Sequence, residues 1–284
     1  MPYLLALASA ICYGSADFIG GVVSRRVAAI PVVLISQAAG LLVVVLLLPV
    51  LPSASPTSAD IWWGAAAGLA GGTGVALLYY ALAIGTMSVV APTTAVAAVA
   101  IPVVASVALG ERPGPFAVLG ILLGIGAIVL VSRQPPPSSS ESSQAHRATG
   151  VGTAIVAGIA IGFFLLALAQ TRTGAGLWPL VASRGVSVTL IAIAAAVRRS
   201  SLRMSTRLGA LTVGCGLVDM LANALYMLAA QIGPLSPVVT LSSLYPASTV
   251  LLARAVLGER LSAWQKIGVG CALVAVILIV GGGT

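Results

Sequence analysis

The chain has 284 residues, of which 59% are hydrophobic and only 7% charged. Soluble domains carry about a quarter charged residues, so this composition excludes a soluble globular protein. The net charge of +8 comes from 14 basic residues against 6 acids. Most of the Arg lies between apolar runs, which points to orientation in a membrane and away from nucleic acid.

The apolar runs have the length needed to cross a hydrocarbon core as helix. They do not alternate polar with apolar residues as barrel strands do, so an all-α polytopic membrane protein is expected. In chain order the expected helices are 3–23, ended by Arg25-Arg26, and 31–50, with Pro31 harmless in the first turn. A Ser- and Pro-rich loop, 52–60, precedes helices 61–82, 88–109 and 115–131. The stretch 133–149 contains Pro135-Pro136-Pro137-Ser138-Ser139-Ser140 and reads as a flexible polar linker. Helices 150–170, 177–197, 208–230, 235–256 and 263–280 follow. The segment Leu4–Ala10 faintly resembles a leader cleavage region. No basic residues precede it and the apolar run continues past it, so it is expected to be the first membrane helix.

Two copies of one motif set the register. Leu109-Gly110-Glu111-Arg112 returns as Leu257-Gly258-Glu259-Arg260, 257 − 109 = 148 positions later. The same shift carries Gly14 to Gly162, Pro31 to Pro179, Gly68 to Gly216, Ser88 to Ser236 and Gly120 to Gly268. One gapless offset thus aligns helices one to five on helices six to ten. The units are 1–132 and 150–284, with the linker 133–149 between them. Five helices is an odd number, so the second unit enters the membrane from the opposite side. That is the inverted-repeat plan of secondary transporters, with the site expected near the midplane.

These residues resemble the EamA family of the drug/metabolite transporter superfamily, with ten helices and a Leu-Gly-Glu-Arg closing the fourth helix of each unit. The second copy, continuing to Leu261, Ser262, Gln265 and Gly268, is the closer match; the first has Pro113 and Gly114 in place of Leu261 and Ser262. The resemblance covers the whole chain. It implies movement of small metabolites or drugs across a membrane, commonly outward and often driven by an ion gradient, and it implies no catalytic residue.

The odd-numbered loops hold ten Lys and Arg and the even-numbered loops two, namely Arg112 and Arg172. The positive-inside rule then puts the odd loops in the cytoplasm and both termini outside the plasma membrane.

Charges within lipid are costly and need a reason. Asp219, Asn223 and Tyr226 make one polar stripe on the eighth helix. Asp17, with Tyr13 one turn before it, lies about 6 Å from the centre of the first helix. A carboxylate removed from water can bind a proton at neutral pH, so both aspartates are candidate coupling sites for a proton or cation. Each has an alternative: hydrogen-bonded glue between helices for Asp219, and for Asp17 an ion pair with Arg or a place closer to the interface. Arg184 is expected either to pair with Asp219 or to bind a substrate carboxylate. Arg254 is expected to snorkel to the surface.

Helices four and nine contain Pro92, Pro102, Pro237 and Pro246. Carbonyls freed beside Thr93-Thr94 or beside Ser242-Ser243 and Tyr245 are candidates to line a polar cavity; kinks that merely aid packing are the alternative. Tyr79, Tyr80 and Trp178 are candidate cavity aromatics, although Trp178 and Trp62-Trp63 sit where interfacial anchors belong. Gly64, Gly68 and Gly72 suit close helix packing. Gly110, Glu111, Gly258 and Glu259 are read as structural, because inverted repeats keep the two glutamates on opposite faces. Cys12, Cys215 and Cys271 are isolated packing residues, and His146 falls in the linker. No metal site, catalytic group or cofactor is therefore expected.

The leading reading is a secondary transporter working by alternating access, an exporter with protons as a candidate coupling ion. The competing reading is a non-transporting accessory or scaffold membrane protein. Expected partners are the lipid bilayer and a small-molecule substrate, with a second copy of the chain as a candidate.

Overall fold

Among the described residues, ten α-helices form on the expected apolar runs. The structure, a computed structural model, describes residues 1–50, 54–108, 114–132, 141–232, 241–259 and 261–281. The helices are α1 (Pro2–Ser24), α2 (Ala29–Leu47), α3 (Ser58–Ile84), α4 (Met87–Ala108), α5 (Pro115–Ser132), α6 (Glu141–Ala169), α7 (Trp178–Val197), α8 (Thr206–Ile232), α9 (Tyr245–Leu257) and α10 (Ala263–Gly281). Among the described residues there is no strand. Among the described residues, six segments are long and apolar enough to cross a membrane: Pro2–Ser24, Ala29–Val50, Ser58–Ile84, Gly150–Leu168, Trp178–Val197 and Thr206–Ala229.

Three elements differ from the sequence expectation. The sixth helix begins at Glu141, inside the stretch read as a linker. Residues 141–149 contain neither Pro nor Gly, so nothing stops the helix from extending beyond the apolar run; residues 133–140, with the Pro-Ser tract, lie outside the described residues. The second helix gives way after Leu47 to a 3-10 turn, Leu48–Val50, where Pro49 has no N–H to continue the α-helical ladder. The ninth helix is interrupted. Residues 241–242 are helical, 243–244 form a turn, and α9 restarts at Tyr245. Pro246 sits in the first turn of the restarted helix, where its missing N–H breaks no bond of that helix.

Small residues set the packing. α3 lies against α6 and α7, α1 against α8 and α9, α2 against α7 and α8, α4 against α6 and α9, and α5 against α10. A Cβ on Gly64, Gly68 or Gly72 would press into the α7 backbone or side chain at Pro179, Ser183 and Ser187, and one on Gly216 into the α2 backbone at Ser36. These contacts are the close backbone approach that glycine allows and that van der Waals packing rewards in lipid. Large apolar side chains such as Leu4, Ile11, Leu42, Leu46, Leu122 and Leu251 are exposed on the outside. Trp62, Trp63 and Trp178 are exposed near helix ends, as anchors at an interface are.

Candidate functional site

Asp219 is the central residue of α8. The Arg184 guanidinium of α7 donates to its Oδ2, and the two side chains are only 24% and 11% exposed. One turn later Asn223 donates from Nδ2 to the Asp219 main-chain oxygen at 2.8 Å and reaches Oδ2 at 3.5 Å. A charge buried this close to mid-helix is costly without such a partner. The substrate-carboxylate role for Arg184 is thus in competition with a bond it already makes.

α1 supplies the other half of the cluster. Tyr13 meets Tyr245, the first residue of α9, edge to face with ring centroids 6.3 Å apart. Asp219, Arg184, Tyr226 and Asp17 lie within electrostatic range of Tyr13, and Asp17 within range of Tyr245. Tyr13, Asp17, Arg184, Asp219, Tyr226 and Tyr245 are each half-buried. They are densely surrounded by protein yet reached by solvent, as side chains lining a crevice are. Asn223 is fully buried behind them. Among the described residues no donor bonds to Asp17, so the ion pair with Arg weighed for it is absent there.

The crevice walls are tied by short-chain donors. Thr249 of α9 donates to the Gly14 carbonyl at 3.1 Å, the Cys215 thiol of α8 to the Ala16 carbonyl at 3.2 Å, and Ser9 to the Ala222 carbonyl of α8 at 2.8 Å. Cys215 also lies 3.1 Å from the Tyr79 hydroxyl. Cys215 is therefore a polar link between helices as well as a packing residue. Tyr79 is buried over Gly20 and stands within electrostatic range of both aspartates. Tyr80 and Trp178 face outward at 48% and 38% exposure; of the candidate cavity aromatics, neither of these turns inward. On an α-helix, adjacent residues such as Tyr79 and Tyr80 point about 100° apart.

Two further clusters close the ends of the bundle. Glu259, past the end of α9, accepts the backbone N–H groups of Met87 and Ser88 at 3.0 Å each and the Arg25 guanidinium at 3.1 Å. It caps the start of α4, and Arg25 also donates to the carbonyls of Leu82 and Gly85 at the end of α3. Gly258 supplies the left-handed turn, φ 64°, that aims Glu259 there. Gly110 and Glu111 lie outside the described residues. At the other end of α3, Asp60 forms a capping box with Thr57 and accepts Arg172, with an Nη2–Oδ2 distance of 2.9 Å. The Thr-x-x-Asp spacing at 57–60 was the sequence signal for this cap; nothing in the sequence signalled Arg172 as its partner. Arg254 in the last turn of α9 is exposed.

The model of the EamA-like transporter family matches residues 1–133 and again 148–281. The chain belongs to the EamA-like transporter family. It is therefore a polytopic membrane protein of the drug/metabolite transporter type, a class of transporters rather than enzymes. Among the solved structures that resemble this EamA-like chain is one described only as "Crystal structure of protein". It is 15% identical, with TM-score 0.58, and the match covers 98% of this chain and 95% of that one. At that identity the likeness speaks for the fold alone. No curated protein matches.

Proposed function

We propose that this EamA-like chain is a secondary transporter of the plasma membrane that exports a small molecule by alternating access. Ten spans arranged as two inverted five-helix units would carry it. The carrying observation is the half-buried cluster of Asp17, Tyr13, Arg184, Asp219, Tyr226 and Tyr245, drawn from both units.

The order of contacts supports inversion. Gly20 and Gly21 of α1 meet Tyr79 and Leu82 of α3, so α1 and α3 advance together. Gly71 and Gly74 of α3 meet Phe164 and Ile161 of α6, so α3 and α6 run in opposition. α1 and α6, which the 148-residue shift equates, then point opposite ways. The interrupted ninth helix beside Tyr13 fits the broken helices that line transporter sites. The polar clusters around Glu259 and Asp60, at opposite ends of α3, suit a molecule that opens one end at a time. Proton coupling rests on the two aspartates, and the placement of both termini outside rests on the Arg and Lys count.

The test is purified protein in liposomes, offered amino acids, nucleosides, sugars and cationic drugs with and without a pH gradient. Saturable flux of at least one class, lost in Asp219→Asn, is expected. Absence of flux for every class sinks the reading and leaves an accessory or scaffold membrane protein. Flux that ignores the pH gradient removes proton coupling alone.

A further inference from the structure

We infer that Asp17 and the tyrosine rings around it form a seat for an organic monocation, which makes a small ammonium compound the substrate class. The inference rests on the transporter reading and names what its site would hold.

The charges of the crevice do not balance. Arg184 is engaged by Asp219, whose position Asn223 holds. Asp17 is left with no donor among the described residues, although solvent reaches it. With its proton released, Asp17 together with Asp219 and Arg184 sums to one negative charge. A neutral solute entering the crevice would displace water from Asp17 and put nothing in its place, which is costly for a carboxylate. An anion would meet net repulsion. A monocation would neutralise the site.

The surroundings of Asp17 fit the body of such a molecule as well as its charge. Tyr13 stands one turn away on the same face of α1, Tyr245 meets it edge to face, and Tyr79 of α3 lies within electrostatic range of Asp17. Aromatic faces attract an ammonium group and tolerate its alkyl or aryl substituents. Pro246 has no N–H to give to the Ser242 carbonyl one turn before it, which leaves a further acceptor near Tyr245. A bare metal cation would want a shell of oxygens; three rings and one carboxylate suit a bulky, weakly hydrated cation better.

The test is equilibrium dialysis of the full chain in detergent micelles. The probes are benzyltrimethylammonium, phenethylammonium and tetraethylammonium, with benzoate and benzyl alcohol as anionic and neutral controls. Saturable binding of at least one cation is expected, and none of benzoate. Asp17→Asn should weaken it about tenfold or more, as loss of a charged partner does, while Asp17→Glu largely retains it. Tyr13→Phe should bind like the wild type and Tyr13→Leu about three- to thirtyfold more weakly. An Asp17→Asn protein that melts with the wild type yet binds the cations equally overturns the inference, as does binding of benzoate or benzyl alcohol at the same strength. Binding of sodium but of none of the three cations also overturns it. Running the same panel as flux separates the two proposals: saturable flux of another class with no cation binding sinks the monocation seat and keeps the transporter, whereas no flux of any kind sinks both.

Discussion

The crevice has a counterpart in the other half of the chain, and the two are built oppositely. Shifted by 148 positions, Asp219 becomes Gly71, Arg184 becomes Ser36, Asp17 becomes Leu165, Tyr13 becomes Ile161 and Tyr245 becomes Ala97. In that counterpart Phe164 packs onto Gly71 and Ile161 onto Gly74, filling the space. In the crevice, Ala16 stands where Phe164 stands in the other half, and the room goes to charged and phenolic side chains. The backbone plan tolerates either filling. The proposed function draws on the departures from the repeat, and the shared residues are the ones that pack.

The largest effect should come from making the charged side resemble the apolar one by halves. Asp219→Leu leaves Arg184 unpaired, and we expect roughly 3 kcal/mol of lost stability, the lower end for breaking a buried pair, together with loss of transport. Arg184→Ser combined with Asp219→Ala removes both charges; thermal unfolding in detergent should recover most of the stability while flux stays absent. Additive losses in that cycle would show that the pair is not coupled.

Next is a contrast within α8 between a contact shared by both halves and a position free of contact. Gly216→Ala drives a methyl into the Ser36 backbone and should cost about 1–3 kcal/mol by overpacking. Gly214→Ala, two residues earlier with nothing within 4 Å, should gain roughly 0.5–1 kcal/mol from helix propensity. Equal effects of the two on the melting temperature would refute the close approach of α2 and α8.

The two ends of the bundle give the smaller effects. Glu259→Gln weakens a cap on two N–H groups and the tie to Arg25, so about 1 kcal/mol is expected. Arg172→Ala should be milder, because Arg172 is 58% exposed and water screens its pair with Asp60. A larger loss from Arg172→Ala in denaturant unfolding would reverse the ranking of the two ends. A C-terminal reporter active only in the cytoplasm leaves stability untouched and tests orientation; activity would overturn the external termini.

The sequence by itself determined the helices, the 148-residue register and the scarcity of intramembrane charge that singles out Asp17, Arg184 and Asp219. Those follow from local composition, because a run of apolar residues in lipid must satisfy its own backbone as helix. The helix ends were harder to read where Pro49, Pro246 and the polar helical extension at 141–149 act through backbone geometry rather than hydropathy. Which side chains meet was decided only by tertiary packing. For Arg184 the sequence left two partners open and packing selected Asp219, 35 residues away; Tyr13 and Tyr245 are 232 apart, and no periodicity links them. Likewise Glu259 caps a helix of the other half and bonds Arg25. Long-range contacts of this kind depend on small residues such as Gly68 and Gly216, which let helices from distant parts of the chain approach.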